Sequence, residues 1–417
     1  MIPITLLLVW AAYFLLLYMV IFWILVFLEK GIVDEEIRLN EFPKVTIAIP
    51  AYNEQDCIRD TLKSVLNLDY PKNKLDIIVV NDGSTDNTRS IVEDMISENR
   101  SYNIRLINQS NMGKGSALNA ALKVSKGDFF VTFDSDSFIS RDALKKIIPH
   151  FSDRRVAAVM PLMKVKDPST ILQKIQWCEY LINLFYKRLM SMLDCIHVAP
   201  GPFSVYRKSV LLELGGFDEK NLTEDLEMSL RLQKHNYKLV QILNTEVYTI
   251  APKNFKSFYK QRNRWYKGTF LNALKYRKLA FNKDYGDFGF IQMPRILLES
   301  FLILSVTFLT VYMTIIKPIY TKLYNLSFVN YDFMIYVQRS VENFSLIDLN
   351  FVNLFFGFVV TFLAVFLIVL AHKHTREPMT RYGLITIPSY LFFYSVLAFF
   401  ALVGVAYDLI RGNVQKW

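Results

Sequence analysis

Two hydrophobic patterns alternate along the chain. Long apolar runs occupy residues 2–28, 296–316, 351–371 and 384–410, interrupted only by Glu299 and Asp408. Each exceeds the roughly 20 helical residues needed to cross a hydrocarbon core, so four membrane spans are expected. The first run has no basic residue before it and is longer than the apolar segment of a secretory signal, so it reads as an uncleaved anchor. The stretch 30–290 has a different rhythm. "KVTIAIP" (44–50), "LDIIVVND" (75–82), "IRLINQ" (104–109), "FFVTFDSD" (129–136) and "VAAVMPL" (156–162) are short β-branched runs. Helix-like segments such as "EQDCIRDTLKSVLN" and "NTRSIVEDMISEN" separate them. That alternation predicts an α/β domain with a mostly parallel sheet and helices on both faces, with ligands beyond the carboxyl ends of the strands.

Charge refines the layout. Ten of the 48 Lys and Arg fall within 253–283, which holds no acid, and the rest of the chain balances against its 38 acids. The basic excess is therefore local. The basic loop "HKHTREPMTRYG" belongs on the cytosolic side. Working back from it, 318–350 lies outside and 30–290 inside, with the N-terminus and the tail "RGNVQKW" outside. The expected divisions are an N-terminal membrane helix (1–29), a cytosolic domain (30–252), interfacial amphipathic helices (253–290) and about three C-terminal spans (291–417). Cys57, Cys178 and Cys195 have no metal-type spacing and are too few for a disulfide framework, which suits a reducing compartment.

The polar chemistry gathers at strand ends. Asp82 in "VNDGSTDNT" and Asp134 and Asp136 in "TFDSDSF" meet at one sheet edge. Turn formation and helix capping explain the first motif about as well as ligand binding does. Two carboxylates one residue apart at the end of a buried strand suit a hard divalent cation, Mg²⁺ or Mn²⁺. "NMGKGSALNAAL" lacks the spacing of a nucleotide-hydrolysing P-loop, although Lys114 at a helix start can reach a diphosphate. In "LTEDLEMSLRLQKHNY", Thr223 is read as a helix cap, and Glu224 and Glu227 as first-turn acids favoured by the helix dipole. Asp225 is left as a candidate general base. In "QRNRW", Gln261, Arg264 and Trp265 share one helix face. They offer an amide, a guanidinium fork suited to a pyrophosphate and an aromatic plane suited to a sugar ring. Lipid headgroups account for the flanking Lys253, Lys256, Lys260, Lys275, Arg277 and Lys278. Nucleic acid is disfavoured as the partner of this stretch, which adjoins a membrane span and matches no nucleic-acid-binding fold.

Taken together, "VNDGS", "DSD", "TED" and "QRNRW", in that order and followed by apolar spans, resemble the processive family 2 glycosyltransferases, which include cellulose, hyaluronan and poly-N-acetylglucosamine synthases. The resemblance covers roughly 44–268 and implies a GT-A fold beside a helical membrane bundle. By the same resemblance, Tyr52, Glu54 and Asp82 contact the nucleoside of a UDP-sugar, Lys114 lies near its diphosphate, and Asp134 and Asp136 form the metal and donor site. Asp225 is implied to be the base. Gln261, Arg264 and Trp265 hold the diphosphate and shape the acceptor end, and Gly201 and Pro202 of "PGPFSVYRK" lie near the acceptor. The expected reaction is inverting transfer to a growing β-linked polysaccharide, with UDP-N-acetylglucosamine as the favoured donor. The polymer is expected to pass into the bilayer, with an oligomer or export partner completing a channel. Two alternatives stay open: transfer of one sugar to a membrane lipid, as in ceramide glucosyltransferases, and a non-catalytic export partner.

Overall fold

The computed structural model describes residues 4–31, 41–328, 332–335, 338, 351–382 and 385–412. Its elements run α1 (Ile4–Lys30), β1 (Val45–Ala51), α2 (Ile58–Leu66), β2 (Leu75–Asp82), α3 (Thr88–Glu98), β3 (Asn103–Gln109), α4 (Lys114–Val124), β4 (Phe129–Thr132) and β5 (Ser137–Ile139). They continue with α5 (Ala143–Ile147), β6 (Val156–Val165), α6 (Ile171–Met192), β7 (Ser204–Arg207), α7 (Lys208–Glu213), α8 (Glu224–Lys234), β8 (Lys238–Thr249) and α9 (Phe255–Lys275). The last helices are α10 (Met293–Val311), α11 (Lys317–Ser327), α12 (Phe351–His374) and α13 (Thr386–Ile410). Among the described residues the chain forms two compact units, Met1–Glu29 with Phe301–Leu370, and Lys30–Ser300 with Ala371–Trp417.

The second unit is built on one eight-stranded sheet in the order β3-β2-β1-β4-β7-β6-β8-β5. β1, β2, β3 and β4 are parallel neighbours, as their β-branched runs and intervening helices predict. Every residue of β1 and β2 is buried, the mark of strands covered on both faces. The other half departs from expectation. β6 and β8 pair in parallel, whereas β7 is antiparallel to both β4 and β6 and β5 is antiparallel to β8, so a mostly parallel sheet carries two reversed strands. β4 also ends at Thr132 rather than continuing to Asp136. Ser137 N donates to Asp134 O at 3.1 Å, which closes a turn between β4 and β5 and puts both aspartates at the strand end.

Beyond the sheet, Leu354–His374 and Thr386–Ile410 are long and apolar enough to cross a membrane. The stretch 318–350, expected as an outside loop, is helical over Lys317–Ser327, and residues 339–350 lie outside the described residues. The last turn of α12 and the loop after it, the basic stretch expected on the cytosolic side, pack into the sheet unit. His372 is buried with Nδ1 3.0 Å from Glu377 O, its ring 5.1 Å from that of Trp177. Glu377 is itself buried and meets Lys164 of β6 at 2.9 Å.

Candidate active site

The site lies where the parallel half of the sheet meets the N-termini of α4 and α8. Asp82, at the end of β2, accepts from Gln109 Nε2 at 2.7 Å, Met112 N at 2.9 Å and Gly113 N at 2.9 Å. Its carboxylate thus ties down the loop that delivers Lys114. Gly113 takes φ +91°, a conformation that favours glycine at this entry into α4.

Lys114 is the hub. Its Nζ lies 2.6 Å from Asp134 Oδ1 and 3.2 Å from Glu224 Oε1, so side chains from α4, the β4–β5 turn and α8 converge. These carboxylates hold Lys114 above the ordinary lysine range, outweighing the opposite pull of burial. Gly201 backs the cluster. A Cβ there would lie 2.7 Å from Asp134 Oδ1 and would also run into Lys114 Nζ. Thr132 Oγ1 donates to Gly201 O at 3.2 Å and fixes that segment to β4.

The acids beside the hub are crowded. Burial pushes the Asp136 carboxyl up to about 6, and the neighbouring Asp134 adds to the shift. Glu54 is pushed up to about 7, first by burial and then by Asp136, Asp134 and Asp86. Among the described residues, no three His, Cys, Asp or Glu side chains form a metal-holding group. The arrangement nonetheless fits a hard divalent cation held by Asp134 and Asp136 with substrate oxygens completing the shell: the donors are all oxygen, and their mutual repulsion is what such an ion relieves.

Sequence reasoning took Glu224 and Glu227 for ordinary first-turn acids, and the structure corrects this. Glu224 is buried against Lys114. Glu227 is buried and accepts from Tyr276 Oη at 2.6 Å and Lys275 Nζ at 2.9 Å. Lys275, assigned to headgroups, is therefore ion-paired, with Asp218 as well. Thr223 occupies the N-cap of α8, yet its hydroxyl makes no capping bond and accepts from Asn272 Nδ2 at 3.0 Å. Asp225 follows, with Oδ1 accepting from Leu226 N at 2.8 Å. Lys187 of α6 faces it; burial lowers this amine to about 8 and Asp225 opposes that shift.

α9 divides its "QRNRW" side chains between two jobs. Burial raises the Glu224 carboxyl above its ordinary range, and the charges of Lys114 and, more weakly, Arg264 oppose that shift. Arg262, overlooked in the motif, is buried, pairs with Glu179 at 2.6 Å and lies 4.2 Å over the Trp265 ring. Gln261 Oε1 accepts from the same guanidinium at 3.1 Å. Gly268 sets the approach of α9 to α8, since a Cβ there would lie 2.5 Å from Thr223 Cγ2. Tyr52 is exposed, at the mouth of the strand edge. Pro202 follows Gly201 on the buried segment leading into β7.

Residues 46–215 match the family model described as glycosyl transferase family 2. This segment is a family 2 glycosyltransferase domain. Poly-beta-1,6-N-acetyl-D-glucosamine synthase of Staphylococcus aureus (strain MSSA476) is 33% identical over 236 residues, 56% of each chain. The synthase of the same description from Staphylococcus epidermidis is 30% identical over 246 residues, 57% of this chain and 58% of its own. The match thus spans little more than half the length of these curated relatives. Among solved structures, a mannosyltransferase from Pyrobaculum calidifontis in complex with GDP-Man and Mn²⁺ covers 99% of both chains at 19% identity with TM-score 0.64, a shared fold.

Proposed function

We propose that this glycosyltransferase domain uses a UDP-sugar to extend a β-linked polysaccharide at a membrane, with UDP-N-acetylglucosamine as donor and inversion at the anomeric carbon. The observation that carries this reading is the convergence of Lys114, Asp134 and Glu224 at one sheet edge, with Asp136 two residues from Asp134 and Asp225 next to Glu224 in the chain. The similarity to poly-N-acetylglucosamine synthases supports the choice of sugar.

The chemistry follows from charge. Departure of a nucleoside diphosphate builds negative charge on its oxygens, and Lys114 and Arg264 stand where fixed cations stabilise it. Asp134 and Asp136 would hold Mg²⁺ or Mn²⁺, which supplies further neutralisation of the diphosphate when bound. Asp225 takes the proton of the acceptor hydroxyl as that oxygen attacks the face opposite the leaving group. Tyr52 and Glu54 border the nucleoside end, Asp82 steadies the Lys114 loop beside it, and Gln261, Trp265, Gly201 and Pro202 border the acceptor. α1, α10 and α12 are assigned as spans that hold the domain at the bilayer, so that the polymer can leave through the membrane with the help of a second copy or an export partner.

The test is incorporation from labelled UDP-sugars, singly and in pairs, with GDP-mannose as a further donor, by the full chain with Mg²⁺ or Mn²⁺. A long polymer from UDP-N-acetylglucosamine alone is expected. Asp225→Asn is expected to lower the rate by about 10²–10⁴-fold, the range for a lost general base. A single sugar on extracted lipid would replace polymer synthesis with lipid glycosylation. No donor consumed under any condition would end the enzymatic reading.

A further inference from the structure

α13 has the length and composition of a membrane span, but its contacts run along the sheet unit from one end to the other. Before it begins, Glu377 is held by Lys164 of β6 at 2.9 Å, and Tyr382 packs on Trp177 of α6 with ring centroids 5.0 Å apart. Near its first third, Tyr394 Oη donates to Glu179 Oε1 of α6 at 2.7 Å. Gly404 lies against Tyr259 of α9, whose phenol would meet any Cβ placed there. At its last turn, Asp408 pairs with the fully buried Lys267 of α9 at 2.6 Å. Thr386, Ser389, Ala398, Ala401, Leu402 and Val405 are buried on this side.

From Tyr394 to Asp408 the helix rises about 21 Å, and from Thr386 about 33 Å, enough to cross a hydrocarbon core of about 30 Å. The groups it touches over that distance are Glu179 of α6 and Tyr259 and Lys267 of α9, side chains of a single sheet domain. Such a domain sits on one side of a bilayer, so a helix bonded to it near both ends does not reach the other side.

The opposite side of α13 is apolar and exposed. Phe392, Phe393, Val396, Phe400, Val403 and Tyr407 recur at three- and four-residue intervals and form one stripe. Its borders are cationic. Arg411 lies 4.4 Å over the Tyr407 ring, and α9 exposes Lys256 and Lys260 on either side of Tyr259. The one acid in α13, Asp408, is paired with Lys267. An apolar stripe edged by cations complements the acyl boundary and anionic headgroups of a leaflet.

We infer that α13 lies in the plane of the leaflet adjoining the catalytic domain, with its aromatic stripe in lipid and Arg411 on the catalytic side. This rests on the membrane association proposed above. It revises the expectation that the residues after α13 emerge on the outer side.

The test uses the full chain in sealed vesicles of known orientation and in a Cys57→Ser background, since Cys178 and Cys195 are buried. Spin labels placed by Phe393→Cys, Phe400→Cys and Tyr407→Cys report depth through relaxation by dissolved oxygen and by an aqueous nickel complex. Equal, shallow depth at all three is expected, about 5–10 Å below the headgroups. A deep Phe400 label flanked by labels near opposite surfaces means a crossing helix and overturns the inference. Labels shielded from both relaxants mean that a second copy or another protein covers the stripe, which also overturns it. An impermeant maleimide should modify Arg411→Cys and Lys256→Cys from the same side, and modification from opposite sides is fatal to the idea. Sugar transfer is assayed on the same vesicles. An active chain that does not float with lipid sinks the membrane reading itself, whereas an inactive chain with uniform label depth leaves the in-plane helix standing and removes only the glycosyltransferase reading.

Discussion

Lys114 gathers three structural segments around one ammonium, and the tolerances there are tight. Gly201→Ala places a methyl group into Lys114 and Asp134. The expected result is a loss of about 10²-fold in turnover, the scale associated with misplacing a catalytic group by about 1 Å, with the unfolding temperature little changed; a rate within twofold of the original would show that the hub tolerates displacement. Asp136 and Glu54 carry the pH dependence. Their carboxyls are held up to about 6 and about 7, so a cation held by Asp134 and Asp136, as proposed, would displace the Asp136 proton and favour loss of the one on Glu54. Mn²⁺ affinity, followed by calorimetry, should therefore fall as pH drops from 7.5 to 5.5, with protons released on binding at the lower end. A flat profile would place the cation elsewhere. Asp134 and Asp136 could be singled out in the sequence because a polar motif closes an apolar strand, and Lys114 because it opens a helix after a glycine turn. Glu224 and Arg262 could not, because a first-turn acid and one more arginine in a basic run look solvated until their partners arrive from 110 and 83 residues away.

Elements obey the same logic. β1, β2 and β3 and their helices were legible because each is a short apolar run closed by turn residues. β7 has only four residues, and β8 mixes Gln241, Asn244 and Thr245 into its run and pairs with β6 through register shifts, so neither carries a clean period. The reversed strands are β7 and β5, and their antiparallel entry is what makes the sheet mixed. Helix packing hid its rules in buried charge. Lys267 is fully buried at the contact of α9 with α13. Removing its carboxylate by Asp408→Ala should cost about 3–5 kcal/mol of stability, and the double variant with Lys267→Met should recover most of it, because an uncompensated buried ion is worse than an apolar pair. Thermal unfolding of the four proteins of that cycle in one detergent measures this. Additive losses would mean that the pair does not couple.

At the scale of the whole molecule, the Lys114 ion pair has a consequence for what the site admits. The ammonium is already engaged by Asp134 and Glu224, so neither carboxylate stands free of a cation. A lone divalent ion must compete with Lys114 for Asp134, and a lone diphosphate must approach a nest of carboxylates. Under the proposed function, an ion and a diphosphate arriving together would exchange partners with the protein: the ion would take the aspartates, and the freed lysine a phosphate. Each ligand should then raise the affinity of the other, by about tenfold or more for a coupling near 1.4 kcal/mol. UDP titrations with and without Mn²⁺ would reveal it, and independent binding would refute the exchange. A site of this kind behaves as a logical conjunction. Free metal, or nucleotide stripped of its metal, would leave the latch shut, and only the two together would open it.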